Sequence, residues 1–337
     1  MKILATLWFG CLLWLSTGLT RPAAAQSAVP PTLNATLDGY DYPYPVKHLP
    51  LRLEGQPVRM AYMDVPAAGK ANGTTVLLLH GKNFFGAYWR GTVEALTKAG
   101  FRVVVPDQIG FGKSDKPNIH YSFHQLAENT KTLLDSLKVK KAVVVGHSMG
   151  GMVATRFAIE YPAATQRLVL ENPIGLEDYR RGVPYQDPLE ATTAELRATE
   201  ESIRQYHASY YPGPYPQAHD QWLLPLLAQK RHPDYPNVAV ASALTYQMIY
   251  QQPVSYEFDR VLAPTLLIIG QQDRTVVGKG LIKDAKVLEK MGNYPALGQR
   301  TAKAIKDCKL VELPGVGHIP HLQEPQKFYA ALLAFLK

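Results

Sequence analysis

Two cysteines in 337 residues are too few for a disulfide scaffold, and neither is spaced as part of a structural zinc site. The chain also lacks any dense block of lysine and arginine interleaved with aromatics. Its formal net charge of +8, from 36 basic against 28 acidic residues, is therefore a solubility property and not a nucleic-acid footprint. No G-x-x-x-x-G-K-[ST] occurs, and the G-x-G of Gly110-Phe111-Gly112 lacks the third glycine and opening helix of a dinucleotide site. A structural turn is the better account of that stretch. Past the amino terminus no apolar run reaches the roughly 18 residues that a membrane-spanning helix needs. Charged residues make up 19% of the chain and hydrophobic ones 46%, which excludes a disordered protein and a coiled coil. A chain of this length buries enough surface for one large domain or two ordinary ones.

The amino terminus is read apart from the fold. Met1-Lys2 is a short positive start, Ile3 to Leu19 is mostly apolar, and Ala23-Ala24-Ala25-Gln26 supplies small residues for cleavage. This layout predicts a secretory signal over residues 1–25, cut after Ala25, and hence a secreted or periplasmic protein with no stable membrane insertion after cleavage. A retained anchor fits less well, because Ser16, Thr17 and Gly18 interrupt the run and no basic flank follows. Cleavage would remove Cys11 and leave Cys308 alone, so the mature fold would stand on packing without an internal disulfide. Residues 26–50, rich in Pro, Tyr and Asp, read as an extended arm over the domain surface.

From residue 51 the periodicity changes. Leu51 to Glu54 and Val58 to Asp64 predict a hairpin about Gly55. Residues 75–79, 101–105, 141–145, 167–170, 265–269 and 310–313 read as strands, several apolar at every position as in a sheet covered on both faces. Helices are expected over 89–98, 123–137, 149–161 and 323–336. This alternation predicts an α/β fold, a doubly wound and mostly parallel sheet, with its core in 51–173 and 259–337. Between them, residues 174–258 hold helical stretches (192–206, 219–227, 237–250) separated by proline-rich turns, which predicts a helical cap. Lys283 to Gln299 reads as an extra helical excursion.

Gly146-His147-Ser148-Met149-Gly150-Gly151 stands between a buried strand and a helix. A G-x-S-x-G stretch in that context forces a tight turn that pushes the serine hydroxyl outward, with helix N–H groups beyond it able to face an oxyanion. A serine nucleophile needs a base, and the base needs an orienting acid, in the chain order serine, acid, histidine. Asp273 follows the strand ending at Ile269 and His318 follows the strand ending at Leu313, so both fall at the sheet edge of Ser148. His321 is set aside for its distance from the strand, and Glu171 is weighed as a displaced acid. The backbone N–H groups of Lys82 and Met149 are the candidate oxyanion donors. The Lys82 side chain is left between a surface salt bridge and an anionic substrate. Candidate pocket residues are Phe84, Phe85, Tyr88, His147, Tyr206, Tyr210, Trp222 and Tyr246, although such rings serve equally well as packing. Arg180 and Arg181 near the cap entrance suit either a carboxylate or a solvated turn.

On His80-Gly81, Asp107-x-x-Gly110-x-Gly112-x-Ser114, the turn at Ser148 and the Asp273/His318 pair, the sequence resembles the alpha/beta-hydrolase superfamily over residues 51–337, in its cap-bearing serine hydrolase branch. The resemblance implies an alpha/beta-hydrolase fold with a helical cap, a Ser148–Asp273–His318 triad, no metal or organic cofactor, and a small ester-like substrate. Relatives of the dehalogenase and epoxide hydrolase type carry an aspartate where this chain has Ser148, which argues against both. The expected activity is cleavage of a mid-sized apolar or aromatic carboxylic ester. The same triad also serves proline-type aminopeptidases, for which Glu190, Glu195, Glu200 or Glu201 would hold the amine, and C–C bond hydrolases and lactonases. A binding protein on a retired scaffold is the reading of another class, and the intact triad speaks against it.

Overall fold

The computed structural model describes residues 29–337, so the expected signal segment 1–25, with Cys11, lies outside the described residues. Eight strands form one sheet: β1 (Val46–Leu53), β2 (Gln56–Val65), β3 (Thr75–Leu79), β4 (Arg102–Pro106), β5 (Ala142–His147), β6 (Thr165–Glu171), β7 (Thr265–Gly270) and β8 (Cys308–Leu313). Their spatial order is β1-β2-β4-β3-β5-β6-β7-β8. β2 runs antiparallel to both β1 and β4, and the remaining pairs are parallel. The central strands carry runs of consecutive apolar residues because each face meets a different core. Leu77, Val144, Leu170 and Leu267 pack into one, while Val76, Leu78, Val145 and Ile268 pack into the other.

Helices α1 (Arg90–Lys98), α2 (Phe123–Ser136) and α3 (Met149–Glu160) cover the sheet on its two faces, α2 and α3 on one and α1 on the other. Between β6 and β7 come α4 (Pro188–Arg197), α5 (Glu200–Ala208), α6 (Asp220–Lys230) and α7 (Tyr235–Gln251). After β7 follow α8 (Ala285–Lys290) and α9 (Tyr294–Ala304), then α10 (Pro320–Gln323) and α11 (Pro325–Leu336) around the carboxyl end. The strands end toward one edge, and the order reverses where β3 lies between β4 and β5. In an open parallel sheet that edge is where a crevice opens.

The structure departs from the sequence reading at four places. β1 begins at Val46, inside the expected arm, because Pro50 sits on an edge strand where a missing N–H is tolerated. The remaining arm is a strap: Leu33, Leu37 and Tyr40 are buried, Leu33 N–H donates to Ala228 O (3.1 Å), and Tyr42 OH donates to Asp107 (2.6 Å). The single helix expected over 192–206 is two, since Thr199 accepts from Ser202 N–H and starts α5 afresh in a reciprocal capping box. The stretch expected as an excursion contains α9, whose Tyr294 and Leu297 join the core shared by α2 and α3. α9 is thus the crossover helix between β7 and β8.

Candidate active site

β5 delivers the chain to Ser148 in a conformation few residues adopt, φ 55° and ψ −121°. The turn is possible only because its flanks are bare. A Cβ on Gly146 would come 2.2 Å from Gly150 O, and one on Gly150 would come 2.2 Å from Leu79 O. Ser148 N–H donates to Glu171 O (3.2 Å), and Ser148 O accepts from Gly151 and Ile174, so the backbone of the turn is held while the side chain points out.

β7 and β8 supply the partners. His318 Nε2 lies 2.9 Å from Ser148 Oγ, and His318 Nδ1 lies 2.7 Å from Asp273 Oδ2. Asp273 accepts three hydrogen bonds, from His318, from Asn172 Nδ2 (2.7 Å) and from Thr275 N–H (2.9 Å). Burial drives its carboxyl pKa up, but the adjacent His318 and these donors outweigh burial and hold it below the usual value. With Asp273 ionised and acceptor-only, Nδ1 carries the imidazole proton and Nε2 is free to accept from Ser148.

Asn172 was not among the expected site residues. Its side chain is clamped between Asp273 and Gly270 N–H (2.9 Å), and its φ is +36°, which asparagine tolerates better than most residues. The one local signal was an amide side chain at the carboxyl end of a buried strand, just before Pro173.

The expected oxyanion donors flank Ser148. Met149 opens α3, so its N–H has no acceptor within the helix. Gly81 brings the other loop close, since a Cβ there would come 3.1 Å from Ser148 Cβ. That loop is braced from behind. Gln108 N–H donates to His80 Nε2 (3.0 Å), which leaves His80 Nδ1–H to donate to Gly81 O (2.9 Å). The turn from Asp107 to Ser114 is structural: Gly86 and Lys113 N–H and Tyr42 OH all donate to the Asp107 carboxylate, and a Cβ on Gly112 would strike it at 2.2 Å.

The Lys82 side chain lines the cavity over Ser148 and, among the described residues, makes no surface salt bridge. Its ammonium donates to Ser242 O (3.0 Å) and Ser242 Oγ (2.7 Å) on α7, and Ser242 Oγ donates to Glu195 on α4 (2.7 Å). Burial lowers its pKa, with Glu195 opposing. Arg180 is an ion pair with Asp178 (2.7 Å). Glu171 is no displaced acid, for it faces His321, whose Nδ1 and backbone N–H lie 2.9 and 2.7 Å from it.

A cavity of about 420 Å³ opens over Ser148, between the sheet edge and the helices inserted after β6. Phe84, Phe85, Tyr206, Tyr210 and Tyr246 line it as expected. Tyr88, His147 and Trp222 do not, and the reason is direction. His147 points back under the turn, with Nε2–H donating to His318 O (2.8 Å) and Nδ1 accepting from Tyr88 OH (3.0 Å), while Gly81 N–H donates to that same hydroxyl (3.1 Å). Burial pushes the His147 pKa down to about 3, so it stays neutral. Trp222 packs into the core on the α1 side of the sheet.

Residues 74–325 match the family model described as alpha/beta hydrolase fold. The fold is similar to that of a probable hydrolytic enzyme from Pseudomonas aeruginosa PAO1, at 46% identity and a TM-score of 0.89, covering 92% of this chain and 100% of that one. It is also similar to the enol-lactonase from Burkholderia xenovorans LB400, at 20% identity and a TM-score of 0.64 over 86% of this chain and 99% of that one, a likeness of fold alone. A haloalkane dehalogenase from Mycobacterium marinum is 32% identical over 134 residues, 39% of this chain and 44% of that protein. The matched segments thus span well under two thirds of the curated relatives, down to 30% of an uncharacterised protein from Mycobacterium bovis.

Proposed function

The chain belongs to the alpha/beta hydrolase fold family, and from that premise we propose that it is a serine hydrolase cleaving a mid-sized apolar or aromatic carboxylic ester through an acyl-enzyme. The observation that carries the reading is the unbroken hydrogen-bond path from Ser148 Oγ through His318 to Asp273, opening on the cavity. His318 Nε2 takes the hydroxyl proton as Oγ attacks the carbonyl carbon, and Asp273 stabilises the imidazolium that forms. The N–H groups of Lys82 and Met149 receive the oxyanion. The imidazolium then hands its proton to the departing alkoxide. Water enters, gives a proton to Nε2 and attacks the acyl carbon; the bond from that carbon to Oγ then breaks, Nε2 returns the proton to Oγ, and the acid leaves.

The cavity, walled mostly by aromatic and aliphatic side chains, suits an apolar acyl or alcohol part. The likeness to a haloalkane dehalogenase does not bring that substrate here. A serine displacing halide from a saturated carbon would be left as an alkyl ether, with no carbonyl for water to attack. Aminopeptidase action is disfavoured as well. Of the four glutamates considered for holding an amine, only Glu195 lines the cavity, and its carboxylate already accepts from Ser242. Export belongs to the same proposal, and a purified mature protein beginning at Gln26 would bear it out.

The test is labelling by a fluorophosphonate probe together with turnover of p-nitrophenyl esters of increasing acyl length. Both are expected in the wild type and absent in Ser148→Ala. Wild-type protein inert to the probe, or a variant that still turns over esters, would overturn the reading.

A further inference from the structure

The oxyanion loop touches the inserted helices at two consecutive residues. Lys82 Nζ holds Ser242 of α7 by two hydrogen bonds, and Asn83 Nδ2 donates to Tyr210 OH (2.8 Å), just past α5. The carbonyl of that same Tyr210 accepts the backbone N–H of His318 (2.9 Å), and Ser242 passes the connection on to Glu195 of α4. We propose that the inserted helices position the reacting groups as well as roof the substrate, and that Lys82 is the positioning residue that fastens the oxyanion loop to them. The proposal rests on the serine hydrolase reading and deepens it.

Three features favour this role over substrate binding. Lys82 lines the cavity, yet both hydrogen bonds of its ammonium go to one residue of α7 and so tie it to the helical side. A buried ammonium left without partners is costly, so lifting α7 would have to draw water in to Lys82, and seating α7 removes that cost. The peptide bearing the Lys82 N–H joins Gly81 to Lys82: its carbonyl, that of Gly81, accepts from His80, the preceding Gly81 N–H donates to Tyr88 OH, and at its other end the Lys82 side chain is fastened to Ser242 of α7. Its orientation is therefore set from the sheet side and from the helical side together. Displacing a donor by a fraction of an ångström weakens a transition-state hydrogen bond more than it weakens ground-state binding.

The experiment compares kcat and KM for a p-nitrophenyl acetate too short to need the helical wall, and the Ki of a small trifluoromethyl ketone, in wild type and Lys82→Met. Outright loss of an oxyanion donor costs about 100- to 1,000-fold, so a misplaced one should lower kcat about 10- to 100-fold with KM within about twofold. The ketone, which binds as a tetrahedral oxyanion, should weaken by a similar factor. Lys82→Arg, which keeps donors toward Ser242, should recover most of the loss. If Lys82→Met does not fold, Ser242→Ala removes the 2.7 Å contact alone and should show the same split on a smaller scale. A kcat within about twofold of wild type, a change confined to KM, or an unchanged Ki would overturn the proposal. Wild type that neither labels with fluorophosphonate nor cleaves esters would overturn the serine hydrolase reading, and this one with it.

Discussion

Replacing Asp273 by asparagine isolates what the buried carboxylate does, because all three of its partners are donors: His318 Nδ1, Asn172 Nδ2 and Thr275 N–H. An asparagine of the same shape has one acceptor oxygen and one donor NH2. If the oxygen faces His318 and Asn172, the NH2 opposes Thr275 N–H, and buried donors go unpaired at a cost of about 1–3 kcal/mol each. If the oxygen faces Thr275, the NH2 opposes Asn172 and must donate to His318 Nδ1. The imidazole proton then moves to Nε2, which can no longer accept from Ser148. Neither orientation restores the negative charge beside the imidazolium. The loss of tautomer and charge together is expected to lower kcat by about 10³- to 10⁴-fold, or about 4–5.5 kcal/mol of barrier. Steady-state hydrolysis of a p-nitrophenyl ester near pH 7.5, with Ser148→Ala as background and a melting curve as control, measures it. A folded Asp273→Asn enzyme within tenfold of wild type would refute the assignment of Asp273.

Asn172→Ala removes one of three donors to Asp273 and leaves Gly270 N–H unpaired. A loss of stability of about 1–3 kcal/mol and a fall in kcat of about tenfold are expected in denaturant titration and kinetics, and wild-type values in both would be contrary evidence. Gly150→Ala should cost about 3 kcal/mol, the upper range for overpacking, because its Cβ would stand 2.2 Å from Leu79 O with no flexible side chain to give way. An unchanged urea midpoint would contradict that. Burial holds the His207 imidazole pKa down to about 4 from an ordinary 6.5. The unfolded chain therefore binds a proton that the folded one does not, and stability falls as pH drops from 6.5 toward 4. At pH 5 the cost is about 2 kcal/mol. Relative to wild type, His207→Phe should gain that amount between pH 7.5 and pH 5, and a difference independent of pH would show that the imidazole is not buried neutral.

Much of the fold was legible because its strands and turns are written in local pattern. Val76–Leu79 and Leu266–Ile269 are apolar at every position, and a strand that reads so must be covered on both faces. The turn at Ser148 was legible for a similar reason, since two glycines at fixed spacing are what its close backbone contacts demand. Asp273 and His318 could be picked out because each stands on a loop just beyond a strand, and parallel strands carry such loops to one edge. The start of β1 escaped because proline and tyrosine gave the segment the composition of a loop, whereas pairing with β2 decides its conformation. α9 looked like decoration because whether a helix bridges two strands depends on where those strands sit.

The sequence by itself determined the alternation of strand and helix, the strained serine turn, and the placing of Ser148, Asp273 and His318 each just past a strand, all carried by residues close together in the chain or by their place relative to a strand end. Only the tertiary structure decided which aromatic rings face the cavity. His147 and Ser148 are neighbours in sequence, yet the turn sends one side chain under the sheet edge and the other into the opening. It also decided that Asn172 orients Asp273 across 101 positions and that Lys82 reaches Ser242 across 160. A hydrogen bond needs two groups within about 3 Å along a defined direction, and no local periodicity records that coincidence between distant parts of a chain.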